Sequence, residues 1–228
     1  MTSVPLSPTA RTTVQRGRTR VRTDRAALHA LLEDALVAHL GVVVADHPVV
    51  LPVAYAADLD GPDEGGTLYL HGSVAAGWLR DAEGGTVCVT VTELDGLVTA
   101  RSAFHHSMNY RSAVVIGAVR RVRDEDERRH ALDLIVDHLV PGRAATLRPS
   151  TRKELAATAV LAVPLLEASV KVRAGGPVDE EADVQAGVWG GHVPLCRVAG
   201  EPVTAHDARV AVPADVVRRA EALGAPRR

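Results

Sequence analysis

Between residues 41 and 119 the chain is written in short valine-rich runs, each cut by proline, glycine or aspartate. This punctuation sets the folds open to it. Val87, Val89 and Val91 alternate with Cys88, Thr90 and Thr92, the period of a strand with one buried face. Residues 49–57 form another run, with Pro48 and Pro52 beside and inside it, as edge or bulged strands carry. The Asp- and Gly-rich stretch 58–66 reads as a solvated hairpin loop leading into a strand over 67–71. Asp95-Gly96 reads as a hairpin turn, with 97–103 as the returning strand. Residues 113–119 are apolar on both faces, which predicts a strand buried on both sides. Two more strands are expected over 160–163 and 167–173.

Helical periods interrupt this pattern at four places. Asp24 is an N-cap for Ala27, Leu28, Leu31, Leu32, Ala35 and Leu36, with Gly41 as the stop. Residues 124–138 form a longer helix with Asp124 and Glu127 as a capping box, ended by Pro141 and Gly142. Shorter helices are expected over 150–158 and 213–223. Strands in hairpins with inserted helices make a mainly β protein, a closed or half-closed antiparallel barrel. Strands and helices do not alternate regularly, which argues against a Rossmann sheet.

Aromatic residues are only 3% of the 228, so Val, Leu and Ala must build the core. The 26 basic and 28 acidic side chains nearly cancel, which argues against a dedicated nucleic-acid binder. No apolar run approaches the roughly 18 residues of a membrane span. Cys88 and Cys196 form no CxxC and are too few for a disulfide scaffold, which suits a reducing cytoplasm. Residues 1–22 hold five arginines and no acid, read as a flexible basic arm, with an organelle-targeting segment as the alternative.

Four segments carry candidate chemistry. Residues 68–73 end a strand at His71, where Gly72 allows a tight turn and Ser73 can cap a short helix. A helix start there would offer backbone N–H groups to a phosphate, with Arg80 two turns on. Gly72 and Gly77 have the first spacing of a P-loop, but Trp78 stands where lysine is required. Residues 104–112 place Asn109, Tyr110, Arg111 and Ser112 between apolar strands, a composition common in binding loops. His105 and His106 are adjacent and would point to opposite faces, so no shared metal is expected. Along 167–173, Ser169, Lys171 and Arg173 share one strand face that either meets an anion or is simply solvated. Trp189 beside Gly190 and Gly191 marks close backbone approach to a ring, or a packed core residue. There is no GxGxxG, HExxH or GxSxG.

Together, Pro52-Val53-Ala54-Tyr55, the 68–73 segment, Asn109 to Gly117, Ser169 to Arg173 and Trp189 to Leu195 resemble the FMN-binding split-barrel superfamily related to pyridoxamine 5′-phosphate oxidase. The nearest branch is the flavin-nucleotide-binding, Nim-type nitroimidazole reductases. The resemblance implies a six-stranded antiparallel split barrel over residues 23–196 and a homodimer with FMN at its interface; residues 197–228 lie outside it and read as a C-terminal extension with a short helix. It implies that Val53 and Tyr55 flank the isoalloxazine and that Gly72, Ser73 and Arg80 hold the phosphate. Asn109, Tyr110, Arg111, Ser112 and Trp189 would line the same cleft. Lys171 or Arg173 would stabilise negative charge on reduced flavin. His71 would be the catalytic proton donor. The implied activity is reduction of a small organic substrate, a nitroaromatic among the candidates, driven by NAD(P)H. A non-catalytic flavin- or haem-binding protein is the alternative. The Arg-rich, Trp-containing C-terminal segment of true pyridoxamine phosphate oxidases is missing, which argues against that substrate.

Overall fold

The computed structural model describes residues 5–224. In chain order its elements are β1 (Val21–Arg22), α1 (Arg25–Asp34), β2 (Ala38–Val44), β3 (His47–Val53), β4 (Tyr55–Asp58), β5 (Thr67–Ser73), α2 (Gly77–Ala82), β6 (Thr86–Thr99), β7 (Ser107–Ala118), β8 (Arg120–Arg121), α3 (Glu125–Leu139), α4 (Arg152–Ala157), β9 (Thr158–Pro164), β10 (Ala168–Arg173), α5 (Glu181–Gln185), β11 (Gly191–Pro194) and α6 (Ala214–Gly224). They build two antiparallel sheets. The larger runs β1-β10-β7-β6-β2-β3, with β11 added to β6, and the smaller runs β4-β5-β9-β8. The chain passes between sheets at Ala54, through residues 74–85 with α2, at Val119 and through residues 165–167, so the sheets meet around one core. This is the mainly β split barrel that the sequence predicts.

The core follows from strand alternation. Val87, Val89 and Val91 of β6, Ala113 and Val115 of β7, and Ala38, Leu40 and Val42 of β2 all point inward. Leu28, Leu31 and Leu32 of α1 enter the same core, each burial contributing roughly 1.5–3 kcal/mol. In β5, Leu68 and Leu70 face this core while Tyr69 faces α3 with Val160, Ala131 and Ile135. The small sheet is therefore buried on both faces, and α3 covers its outside. Pro48 and Pro52 lie on β3, at an edge of the large sheet, as expected of strand prolines.

Several local expectations are corrected. α1 ends at Asp34, and Gly41 lies inside β2 opposite Cys88. Asp95-Gly96 is not a hairpin turn. β6 runs straight through it to Thr99, with a bulge between Leu94 and Gly96, and residues 97–99 continue the strand instead of returning. The real turn lies further on, around a 3₁₀ segment at Ala103–His105. Asn109 to Ser112 consequently belong to β7 and not to a loop. Asp124 does cap α3, accepting from the Glu127 N–H at 2.9 Å. Glu127 is not the reciprocal member of a capping box, because its carboxylate goes to Arg120 and Tyr69. Thr151 and Glu154 form the capping box, on α4.

Residues 5–22 lie along the barrel. Leu6 is buried in the core, its N–H donating to Thr23 and that of Ser7 to Ala168. Arg11 pairs with Glu167, and β1 pairs with β10. Residues 1–4 of the expected arm lie outside the described residues. At the other end, α6 docks on the C-terminus of α3, where Arg219 donates to the carbonyls of Leu139 and His138.

Candidate functional site

The small sheet sets the surroundings of His71. Alternation along β5 sends Leu70 and Gly72 toward the core and His71 to the opposite side, opposite Val160 of β9. The imidazole is half-buried, and its Nδ1 is buried with no hydrogen-bond partner among the described residues. An unpaired buried polar atom costs about 1–3 kcal/mol, so this one calls for a partner from outside the chain. Burial pushes the imidazole pKa below its ordinary 6.5. Burial thus disfavours the protonated ring, and the neutral imidazole that it favours can offer a ring nitrogen to a metal.

The expected tight turn at Gly72 is absent, because β5 continues through Ser73, which pairs with Thr158. Gly72 is needed for close approach: a Cβ there would come within 2.7 Å of Leu79 and 3.1 Å of the Trp78 ring. The Ser73 Oγ accepts from the Ala75 N–H at 3.2 Å instead of capping a helix. α2 starts only at Gly77, after an Ala76 that supplies no side-chain cap. Arg80 is exposed on α2 and makes no ion pair among the described residues.

On the large sheet, register brings Lys171, Ser112 and Thr92 directly opposite one another on β10, β7 and β6. The Ser112 and Thr92 hydroxyls are 3.2 Å apart. Lys171 is half-buried and has no carboxylate partner among the described residues. A cation beside two hydroxyls, at cross-strand spacing, fits a phosphate. Val53 packs against the core, and Tyr55 is 0% exposed with its hydroxyl donating to Leu32 and Ala35 carbonyls, so Tyr55 presents no surface to a ligand.

The segment 109–112 is divided by its own alternation. Ser112 faces the lysine row. Arg111 turns to the barrel mouth, where it bonds Asp95 at 2.9 Å and Asp34 at 2.7 Å. Those hydrogen bonds, Asp95 first, raise its pKa further above the ordinary arginine value against the opposing effect of burial. Asn109 and Arg173 are both buried and bonded to each other. Arg173 also donates to the Gly175 and Gly176 carbonyls, and Asn109 to Gly175. Their polar atoms thus fasten the chain where it leaves β10. Tyr110 lies opposite Arg173 and makes no hydrogen bond through its side chain among the described residues.

These residues border an open cleft of about 860 Å³. One wall is the barrel mouth, with Glu93, Asp95, Asn109 and Arg111. The other is the segment after β10, with His192, Pro194, Cys196 and Arg197. Arg197 reaches across to the Asp34 carbonyl at 2.9 Å and to Glu93 at 3.4 Å. Trp189 is 65% exposed, not a core residue, and its ring lies over Gly191, where a Cβ would come within 2.7 Å. Sequence reasoning missed Asp34, Glu93, Asp95, His192, Cys196 and Arg197. They sit on three separated segments, and no period or spacing links them. Among the described residues no group of three or more His, Cys, Asp or Glu side chains is placed to hold a metal ion.

A sequence profile described as pyridoxamine 5′-phosphate oxidase matches residues 24–172, which span both sheets, the lysine row and His71. The chain belongs to the pyridoxamine 5′-phosphate oxidase family. It is a flavin-binding family. Among solved structures, the family member resembles flavocytochrome Anf3 from Azotobacter vinelandii, at TM-score 0.86 and 34% identity, covering 94% of this chain and 98% of that one. It also resembles the FAD and haem binding protein from Mycobacterium smegmatis, at TM-score 0.81 and 39% identity, covering 88% and 97%. A candidate 5-nitroimidazole antibiotic resistance protein from Bacteroides thetaiotaomicron matches at TM-score 0.55 and 25% identity, covering 67% and 86%. Comparison with curated proteins finds no match. The pyridoxamine 5′-phosphate oxidase profile stops at Val172, where the second wall of the cleft begins. Coverage of 94% and 88% reaches beyond that point.

Proposed function

We propose that this family member is a flavin-dependent redox protein that also carries a haem. The observation that carries the reading is similarity at 34% and 39% identity, over nearly the whole chain, to proteins described as a flavocytochrome and as FAD and haem binding. When bound, the flavin supplies hydride acceptance and the haem single-electron transfer. The chain's own residues bind and orient. Lys171, Ser112 and Thr92 hold the flavin's phosphate, and the lysine charge favours the anionic side of the cofactor. The His71 imidazole, with its buried, unpaired Nδ1, would hold the haem through its iron. This replaces the proton-donor role, which a depressed pKa does not favour.

Electrons come from NAD(P)H and pass to a small acceptor. The protein works as a homodimer in the cytoplasm. The outer face of the large sheet supports the dimer: Val43 and Val50 are 62% and 64% exposed there, and the prolines of β3 disfavour pairing through the edge. No helix among the described residues is long and apolar enough to cross a membrane.

The test is the visible spectrum of the purified protein, with identification of the released chromophores. Flavin bands and a Soret band are expected together, and NADH or NADPH should bleach the flavin anaerobically. His71→Ala should lose the Soret band and keep the flavin bands. A colourless protein that takes up neither added flavin nor added hemin would overturn the reading.

A further inference from the structure

Residues 16–22 carry Arg16, Arg18, Arg20 and Arg22, in a chain whose formal net charge is -2. Arg16, Arg18 and Arg22 are exposed and Arg20 is half-buried. None of the four guanidinium groups makes an ion pair or a hydrogen bond among the described residues. Elsewhere the pattern is different: Arg11, Arg101, Arg111, Arg120 and Arg148 each have a carboxylate partner.

The segment that carries the four is held in place. Leu6 is buried in the core, the Ser7 N–H donates to Ala168, and Arg11 pairs with Glu167. Gly17, at φ 67°, turns the chain into a 3₁₀ segment over Arg18–Arg20, and β1 then pairs with β10. The arginines therefore lie along the outer edge of the large sheet. Val21 is directly opposite Lys171, so this edge is one strand spacing, about 4.8 Å, from the strand that holds the lysine row. Charge on an edge strand also guards against pairing with other chains. A two-residue strand is already too short to template such pairing, so four arginines exceed that need.

Charge and shape select the partner. Apart from this edge the molecule has an excess of acid, so an extended polyanion, such as duplex nucleic acid or a planar anionic membrane, meets repulsion beyond it. No large apolar side chain between residues 5 and 36 is exposed, which leaves nothing there to insert into lipid. None of the four arginines lines the cleft at the barrel mouth. A compact protein with a local acidic patch meets attraction alone. Electron-exchange complexes are of this kind, small in area and steered by charge.

We propose that the arginine edge at β1 is the docking site of a small acidic protein that exchanges single electrons with the bound cofactors. The inference rests on the redox reading above and adds a macromolecular partner to it.

The test uses the protein as purified, with its cofactors, and two small carriers of opposite charge: an acidic [2Fe–2S] ferredoxin and a basic c-type cytochrome. The ferredoxin should bind at low salt, and its affinity should fall about tenfold or more between roughly 0.02 and 0.2 M salt. The cytochrome should not bind. Replacing all four arginines by glutamate should abolish ferredoxin binding, and replacing them by lysine should keep it within about threefold. Arg16→Glu with Arg18→Glu leaves β1 untouched and should weaken binding about tenfold with an unchanged thermal midpoint. On anaerobic mixing, each reduced ferredoxin should lose one electron and the protein's cofactors gain it, at a rate that follows the same order of variants. No ferredoxin binding at low salt, or equal binding by the glutamate variants, overturns the docking site alone. Tighter binding of a short DNA duplex or of anionic vesicles at the same salt also overturns it, because the edge then serves extended polyanions. A purified protein that holds neither flavin nor haem overturns the redox reading, whether or not the ferredoxin binds.

Discussion

Three imidazoles and one phenol show how burial sets chemistry side chain by side chain. Tyr55 and His138 pack ring to ring at 4.7 Å, and both donate to the carbonyl of Ala35 at the end of α1. A helix end leaves carbonyls unsatisfied, and here side chains from β4 and α3 satisfy them. Burial pushes the His138 pKa down, against the opposing hydrogen bond to Ala35. Burial does the same to His71, and for His29 it is helped by Arg25. In the unfolded chain these rings take up protons near pH 6.5; in the folded chain they do so only at lower pH. The unfolded state therefore binds more protons below pH 6.5, and stability is lost as the pH falls through that value. The thermal midpoint of flavin-free protein should drop between about pH 7 and pH 5. His138→Gln, which keeps a donor for Ala35, should make that drop shallower. A midpoint equally steep in the variant would show that His138 does not contribute.

Elements were legible wherever local pattern and tertiary demand agreed. The Val87-Val89-Val91 period, the Asp24 cap, the α3 period and the final helix all appear in the structure near their expected positions. Asp124→Ala should destabilise the protein by about 1 kcal/mol, measured by denaturant unfolding, because the Glu127 N–H loses its acceptor. An unchanged midpoint would mean that the cap is replaced by solvent at no cost. The failures have a common origin. Asp95-Gly96 carries a strong local turn signal, yet β6 pairs through it with β7 and gains β11 beyond the bulge. Glu127 has the right spacing for a capping box, but Arg120 bridges it to Asp63 and the Tyr69 hydroxyl donates to it. Gly72 looks like a turn because glycine is usually read as conformational freedom. Its actual reason is the ring of Trp78 packed against it. In each case a tertiary contact that the local pattern does not record outweighed a preference of at most about 1 kcal/mol.

At the scale of the whole molecule, the barrel and residues 174–197, a strap across its mouth, form one cleft from two parts of the chain. The strap's central anchor is the Arg101–Asp179 pair. Asp179→Asn should loosen residues 174–190 while the barrel stays folded, read as faster amide hydrogen exchange in that stretch alone. Unchanged protection there would show that β11 and Arg197 suffice. The sequence by itself determined the antiparallel barrel, the inserted helices and the family, because alternation, caps and motif order are local and survive without knowledge of contacts. It also pointed to Lys171, Ser112 and His71. Only the tertiary structure decided which of the candidate side chains meet. It buried Tyr55, tied Arg173 and Asn109 to the strap, separated Ser112 from Arg111 by one step of a strand, and brought Arg197 to Glu93 across 104 residues. The physical reason is that a one-residue step reverses the face of a strand, and a cleft is made by register between distant segments that no local pattern records.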